Sequence, residues 1–310
     1  MLQIFSQKKD SVEPSDRIEK GCWINLVAPT DEEINRILKE TQVLPEFLRY
    51  PLDVEETSRV ESDEGQILII VKIPFPQHSG EMVRFETIPL GIIVLEDAII
   101  TVCPVETEIL SRVIESARKQ RIFVSRVRFI FNIFFRVASD YLRHLRLIDR
   151  LMEEYEQELQ LSMRNRELVK LLNLEKSLVY FNTSLKANDM VMVRLGSGRF
   201  IPIDEDDEDI LEDAQIENQQ AIEMAKIYSD ILAGMMDAYA SVISNNLNIV
   251  MKFLTAVTIV LMLPNLVASI YGMNINLPFQ HNPHAFVITM GFSFLISLVV
   301  VYIFIKKKMF

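Results

Sequence analysis

Hydrophobic and polar positions change rhythm several times along the chain, and each change predicts an element. Over residues 1 to about 120, short apolar runs alternate with charged ones, a mixed α and β pattern. Asp31–Thr41 follows Pro29-Thr30 and opens with Asp31, Glu32 and Glu33, which predicts a short helix. Gln66–Pro74 is dense in β-branched residues and stops at a proline. Two similar runs, Thr87–Leu95 and Ala98–Val102, are separated by Glu96-Asp97, and all three read as strands of one sheet. After Pro104 there is no proline until Pro202 and no glycine until Gly196. Apolar residues there recur at helical spacing, as in Leu145, Ile148, Leu151, Met152 and Tyr155. This predicts one long helix or, preferentially, an antiparallel pair turning near Asn165 or Asn173.

The run Asp204–Asp213 holds eight acids in ten residues. Acids massed at a helix N-terminus oppose the positive end of its dipole, so a helix is expected to start there. From Ile210 to Pro264 only Gly234 interrupts it. A helix from about 209 to 273 spans roughly 95 Å at 1.5 Å per residue, about three bilayer thicknesses. The expectation is a stalk whose lower part is cytosolic and whose upper part crosses a membrane.

Two 21-residue segments, 253–273 and 285–305, match a hydrocarbon core in length. Between Lys252 and Lys306 there is no Asp, Glu, Lys or Arg. Lys252 precedes the first segment and Lys306-Lys307-Lys308 follow the second, while the loop between them has no Lys or Arg. By the positive-inside rule both ends are cytosolic and the loop faces outward. The expected organisation is an α/β domain over 1–120, long antiparallel helices over 121–203 and a stalk over 204–252. Membrane helices follow over 253–273 and 285–305, joined by an outer loop over 274–284, with a basic tail over 306–310.

Composition changes this picture only by exclusion. The 310 residues carry a net charge of −11, which disfavours nucleic acid and suits the handling of cations. Cys22 and Cys103 cannot form a disulfide framework and read as reduced, buried thiols. The N-terminus lacks the apolar run of a signal peptide, so the body is expected in the cytosol. There is no Walker A sequence, no Cys/His ligand cluster and no nucleophile arrangement, so nothing supports an enzyme.

The first membrane segment has a pattern that a simple anchor does not need. Steps of three and four pick out Asn248, Met251, Thr255, Thr258, Met262, Asn265 and Ser269. The residues between are mostly Phe, Leu, Val, Ile and Ala, so a stripe of period near 3.5 lies along one face. Its polar members either glue the helix to a neighbour or line a shared pore between identical helices. Asn248 and Asn265 favour the pore, since amides are costly in lipid without water or a partner. Ser244, Ser241 and Asp237 continue the same rhythm downward.

The first membrane helix ends in Tyr271-Gly272-Met273-Asn274. Gly-Met-Asn at this place resembles the signature of the CorA magnesium-transporter family. The resemblance extends through Ser244–Thr255, the Asp237-Ala238-Tyr239 segment and the Lys306-Lys307-Lys308 end. It implies a homopentameric cytosolic funnel in the plasma membrane, with a pore lined by the first membrane helix. It further implies that Tyr271, Gly272, Met273 and Asn274 form the outer selectivity site. Asn248, Met251 and Met262 then match pore-lining or gating positions, and Asp237 matches an acid at a regulatory metal site between protomers. Its partner ligand is sought around Glu106 or Glu108. The implied function is a passive, potential-driven Mg²⁺ channel with Mg²⁺ as both cargo and regulator and no organic cofactor.

Two departures and two rivals accompany the resemblance. Ile275–His284 has no acid, unlike the outer loop of many members, and offers His281 and His284 instead. Pro264 stands one position later than the family pattern. The rivals are a Zn²⁺ or Co²⁺/Ni²⁺ carrier on the same scaffold and a membrane-tethered coiled-coil scaffold or sensor. Met273 tilts the first comparison toward magnesium, because the relatives that move zinc tend to carry another residue there.

Overall fold

The computed structural model describes residues 1–8, 11–79, 82–119, 125–162, 165–275, 277–278 and 283–307. His281 and Lys308, singled out from the sequence, lie outside the described residues. The chain divides into two units, Met1–Ala233 and Gly234–Phe310, with the boundary inside one continuous helix.

The first unit is built on a seven-stranded sheet: β1 (Leu2–Lys8), β2 (Ser11–Ser15), β3 (Cys22–Val27), β4 (Arg59–Asp63), β5 (Gln66–Ser79), β6 (Met82–Val94) and β7 (Ala98–Cys103). The strand order is β2-β1-β3-β7-β6-β5-β4. The central strands β3 and β7 run parallel, from Cys22 opposite Ala98 to Val27 opposite Cys103. Every residue of both is buried, as continuous apolar strands covered on two faces should be. All other pairings are antiparallel.

One face of the sheet is covered by α1 (Asp31–Thr41) and α2 (Pro45–Arg49). Helix α1 has the span expected from the sequence, for a local reason. The Glu33 N–H donates to Thr30 Oγ1 at 3.3 Å, and the Thr30 N–H donates back to Glu33 Oε2 at 3.0 Å. This reciprocal capping box satisfies two donors that a helix start would otherwise leave unpaired. Ile34 and Ile37 then pack with Phe47 and Leu48 onto Ile24, Leu26, Ile70 and Ile100. The turn Tyr50–Leu52 lies so close to β6 that a Cβ on Gly91 would stand 2.1 Å from Pro51 Cγ.

The other face carries α4 (Arg126–Ser162) and α5 (Asn165–Gly196), preceded by α3 (Glu108–Lys119). Of the two expected turning points, the structure takes the one at Asn165. Phe129 meets Trp23 edge-on at 4.9 Å, and Phe181 lies 4.9 Å from Tyr141 and 6.0 Å from Phe85.

The hairpin β5–β6 is longer than its prolines suggest, since β5 passes through Pro74 and Pro76 and β6 through Pro89. Their partners are Thr87, Phe85 and Lys72 respectively. In these pairs the backbone N–H groups point away from the hairpin partner. Lys72 N–H donates outward to Asn188 Oδ1 at 2.9 Å, and Phe85 N–H donates outward to Ser177 Oγ at 3.0 Å, both on α5. Residues two apart share this direction, so each proline lacks an N–H that the hairpin ladder never uses. The strand does not end at Pro74 for that reason.

Cys22 and Cys103 are free and buried, at opposite ends of the paired β3 and β7. Five residues of strand, roughly 17 Å, separate them, well beyond disulfide reach. Burial raises both thiol pKa values, that of Cys103 to about 12.

Helix α6 (Glu205–Tyr271) starts within the acidic run. Asp207 is buried there, accepting from Arg128 Nε at 3.1 Å and from Ser125 Oγ at 3.0 Å, while Asp206 is exposed. The second unit holds the upper part of α6 and α7 (Ala285–Lys306), both long and apolar enough to cross a membrane.

Candidate functional site

Within the second unit, α6 and α7 meet along a narrow seam. On α6 it runs through buried Ala256 and half-buried Val260, Leu263 and Val267. On α7 the buried residues are Ser293 and Ser297, with Ser297 Oγ donating to the Ser293 carbonyl at 3.0 Å. Small side chains at such a seam let two helices approach closely where no hydrophobic effect drives them together. Towards the ends of the helices the seam opens into an apolar cavity of about 370 Å³, lined by Val267, Ile270, Tyr271, Ile288, Thr289 and Phe292.

The stripe picked out by the sequence lies elsewhere. Asn248, Met251, Thr255, Thr258, Met262, Asn265 and Ser269 are all exposed in the single chain. At 3.6 residues per turn their mean direction is about 140° around α6 from the seam. Helix α7 therefore does not cover them. Thr258 Oγ1 donates to the Leu254 carbonyl at 2.8 Å, so its proton is committed to the helix backbone and its lone pairs face outward. Among the described residues the side chains of Asn248 and Asn265 make no hydrogen bond, which leaves both amide oxygens available. An outward face of neutral acceptors is what the water shell of a cation can bond to. Ser244, Ser241 and Asp237 are exposed as well, and Pro264 sits inside the helix without ending it.

Tyr271 is the last residue of α6. The Gly272 N–H still donates to the Ala268 carbonyl at 2.9 Å, and the Met273 N–H then closes a tighter turn on the Ile270 carbonyl at 3.2 Å. Gly272, Met273 and Asn274 follow in exposed backbone outside the helix. The Tyr271 hydroxyl donates to the Pro278 carbonyl at 3.2 Å, on the far side of this turn. His284 immediately precedes α7 as its cap residue.

Among the described residues no group of three or more His, Cys, Asp or Glu could hold a metal ion. Glu108 accepts from Arg112 Nη2 at 2.7 Å and Arg143 Nη2 at 3.2 Å, so its carboxylate is already engaged, while Glu106 is exposed. The seam residues Ala256, Ser293 and Ser297 and the acceptor Pro278 escaped the sequence reading. The i, i+4 pair Ser293 and Ser297 was the available signal for the seam. Nothing local marks Pro278, because its role depends on a backbone oxygen.

The family model described as CorA-like Mg²⁺ transporter protein matches residues 19–307. The cobalt/magnesium transport protein CorA of Methanocaldococcus jannaschii is 33% identical over 98% of this chain and 98% of its own length. The complete structure of the CorA magnesium transporter from that organism superposes with a TM-score of 0.83, covering 98% of this chain and 97% of that one at 28% identity. The cytoplasmic domain of ZntB from Vibrio parahaemolyticus has a TM-score of 0.63 over 78% of this chain and 98% of its own, at 10% identity, a likeness of fold alone. With a family match over nearly its whole length and a full-length relative at one-third identity, the chain belongs to the CorA family.

Proposed function

We propose that the chain is one protomer of a homopentameric channel that carries Mg²⁺ across the cell membrane, with Co²⁺ as a second cargo and both termini in the cytosol. The observation that carries this reading is the exposed stripe from Asn248 to Ser269, which faces away from α7 and ends beside Gly272-Met273-Asn274. Five such faces around an axis enclose a path of hydroxyl, amide and thioether groups. The family match and the full-length likeness to a cobalt/magnesium transport protein support the cargo.

The chemistry suits a hydrated ion. Mg²⁺ sheds its six waters reluctantly. Asn274 amides and loop carbonyls accept hydrogen bonds from those waters without displacing them, and the segment between Lys252 and Lys306 has no carboxylate to bind the bare ion. The membrane potential drives entry, worth roughly 4.6 kcal/mol per 100 mV for a doubly charged ion. In this reading 204–252 is the cytosolic stalk, and Mg²⁺ held at Asp237 between protomers clamps the stalks and closes the path. When cytosolic Mg²⁺ falls, the unneutralised acids repel and the path opens.

Proteoliposomes loaded with a Mg²⁺-sensitive dye under an inside-negative potential test the reading. Wild type is expected to admit Mg²⁺, and Asn274→Ala to lose nearly all of that flux. Passage of Zn²⁺ but not Mg²⁺ would assign a transition-metal carrier, and silence toward every ion would return the protein to a scaffold.

A further inference from the structure

We infer that Tyr271 is a positioning residue for the ion entrance: through the bond from its hydroxyl to the Pro278 carbonyl, it holds the turn that presents Asn274. The inference rests on the reading of Gly272–Asn274 as that entrance. The bond spans seven residues and closes the turn on itself at 3.2 Å.

The anchor lies on the helix pair and the tethered point beyond the turn. Tyr271 lines the cavity shared by α6 and α7, beside Val267, Ile270, Ile288 and Phe292, so the residue that carries the hydroxyl is based on the helix pair. Pro278 offers its carbonyl from a residue whose φ is locked by its ring. Between these points the helical hydrogen bonding runs out at Gly272 and Met273, and Asn274 is exposed. Tyrosine suits such a place, with an apolar body against the helices and a polar tip at the membrane–water boundary. Tethering the turn from a helical base limits the positions Asn274 can take.

The expected effect follows from population arithmetic. If only part of the ensemble presents Asn274 correctly, apparent affinity for the entering ion falls by that fraction. One neutral hydrogen bond shifts such an equilibrium by about three- to tenfold. Tyr271→Phe removes the hydroxyl alone and keeps the ring. In the full chain in proteoliposomes, half-saturating Mg²⁺ is expected to rise about three- to tenfold, with a smaller change in maximal flux. Amide hydrogen exchange across 272–274 is expected to speed up by a similar factor.

An unchanged half-saturation overturns the inference, whether maximal flux holds or falls. A fall in maximal flux alone assigns Tyr271 to folding or conduction instead. Unchanged exchange across 272–274 overturns the tether directly, by a readout that needs no transport. If Asn274→Ala collapses the flux while Tyr271→Phe behaves as wild type, the tether fails and the entrance stands. If wild type itself conducts nothing, the entrance reading fails and the positioning role goes with it.

Discussion

The side-chain amide of Asn188 on α5 stands in for a neighbouring strand beside Lys72 on β5. Its Nδ2 donates to the Lys72 carbonyl at 2.8 Å, and its Oδ1 accepts from the Lys72 N–H at 2.9 Å. Strand β4 reaches only as far as Arg59 opposite Ile70, so beyond it Asn188 serves both backbone groups on the outer edge of β5 where the helices cover it.

Asn188→Ala is therefore expected to destabilise the first unit. Ser58 Oγ, 3.2 Å from the Lys72 nitrogen, and the Tyr141 hydroxyl, 3.1 Å from the Lys72 oxygen, would remain. With that partial rescue the cost is about 1–3 kcal/mol, a fall of several degrees in Tm. Thermal unfolding of the detergent-solubilised chain measures it, and a Tm equal to wild type would refute the edge-capping role.

Stability should also decline on acidification because of His144. Its Nδ1 lies 2.8 Å from the Asp140 carbonyl, and Phe85 and Phe181 flank the ring at 5.7 and 6.5 Å. Burial holds the imidazole below its ordinary pKa of 6.5, against the opposing pull of Asp140. Arg143 and Arg112 also face this cluster, with Glu108 bridging them. The folded chain then binds fewer protons than the unfolded chain, so the contribution is whole above the unfolded pKa and shrinks as pH falls toward the depressed folded value. His144→Gln should flatten the Tm difference between about pH 7.5 and 5.5; an equal slope in both proteins would show that other groups dominate.

Asp237 can be tested without transport. If Mg²⁺ binds there between protomers, the cation protects the wild-type stalk from proteolysis, and Asp237→Ala weakens that protection markedly. Glu108→Gln should leave it nearly intact, because Arg112 and Arg143 already occupy that carboxylate. Equal protection in Asp237→Ala and wild type would remove Asp237 from the site.

What could be read from the sequence was whatever depends on neighbours in the chain. Pro29-Thr30 and the acids Asp31, Glu32 and Glu33 announce α1 because a helix start is decided within a few residues. The stripe from Asn248 to Ser269 is visible because a helix converts spacing directly into direction. Pro74 misled for the opposite reason. Its meaning depends on which way the missing N–H points, and that is set by the register in which β5 pairs with β6, where Pro74 lies opposite Thr87. The tie from Tyr271 to Pro278 was hidden because a backbone carbonyl has no sequence signature.

The sealing of Cys22 and Cys103 within the sheet has a practical consequence. Alkylating reagents attack the thiolate, and burial denies them both access and ionisation at these two sulfurs. The natural chain thus serves as its own blank for labelling. A cysteine introduced at Thr255, Thr258, Asn265 or Ser269 would be the single reactive thiol, and its rate of modification from either side of a vesicle would map water access along α6 residue by residue.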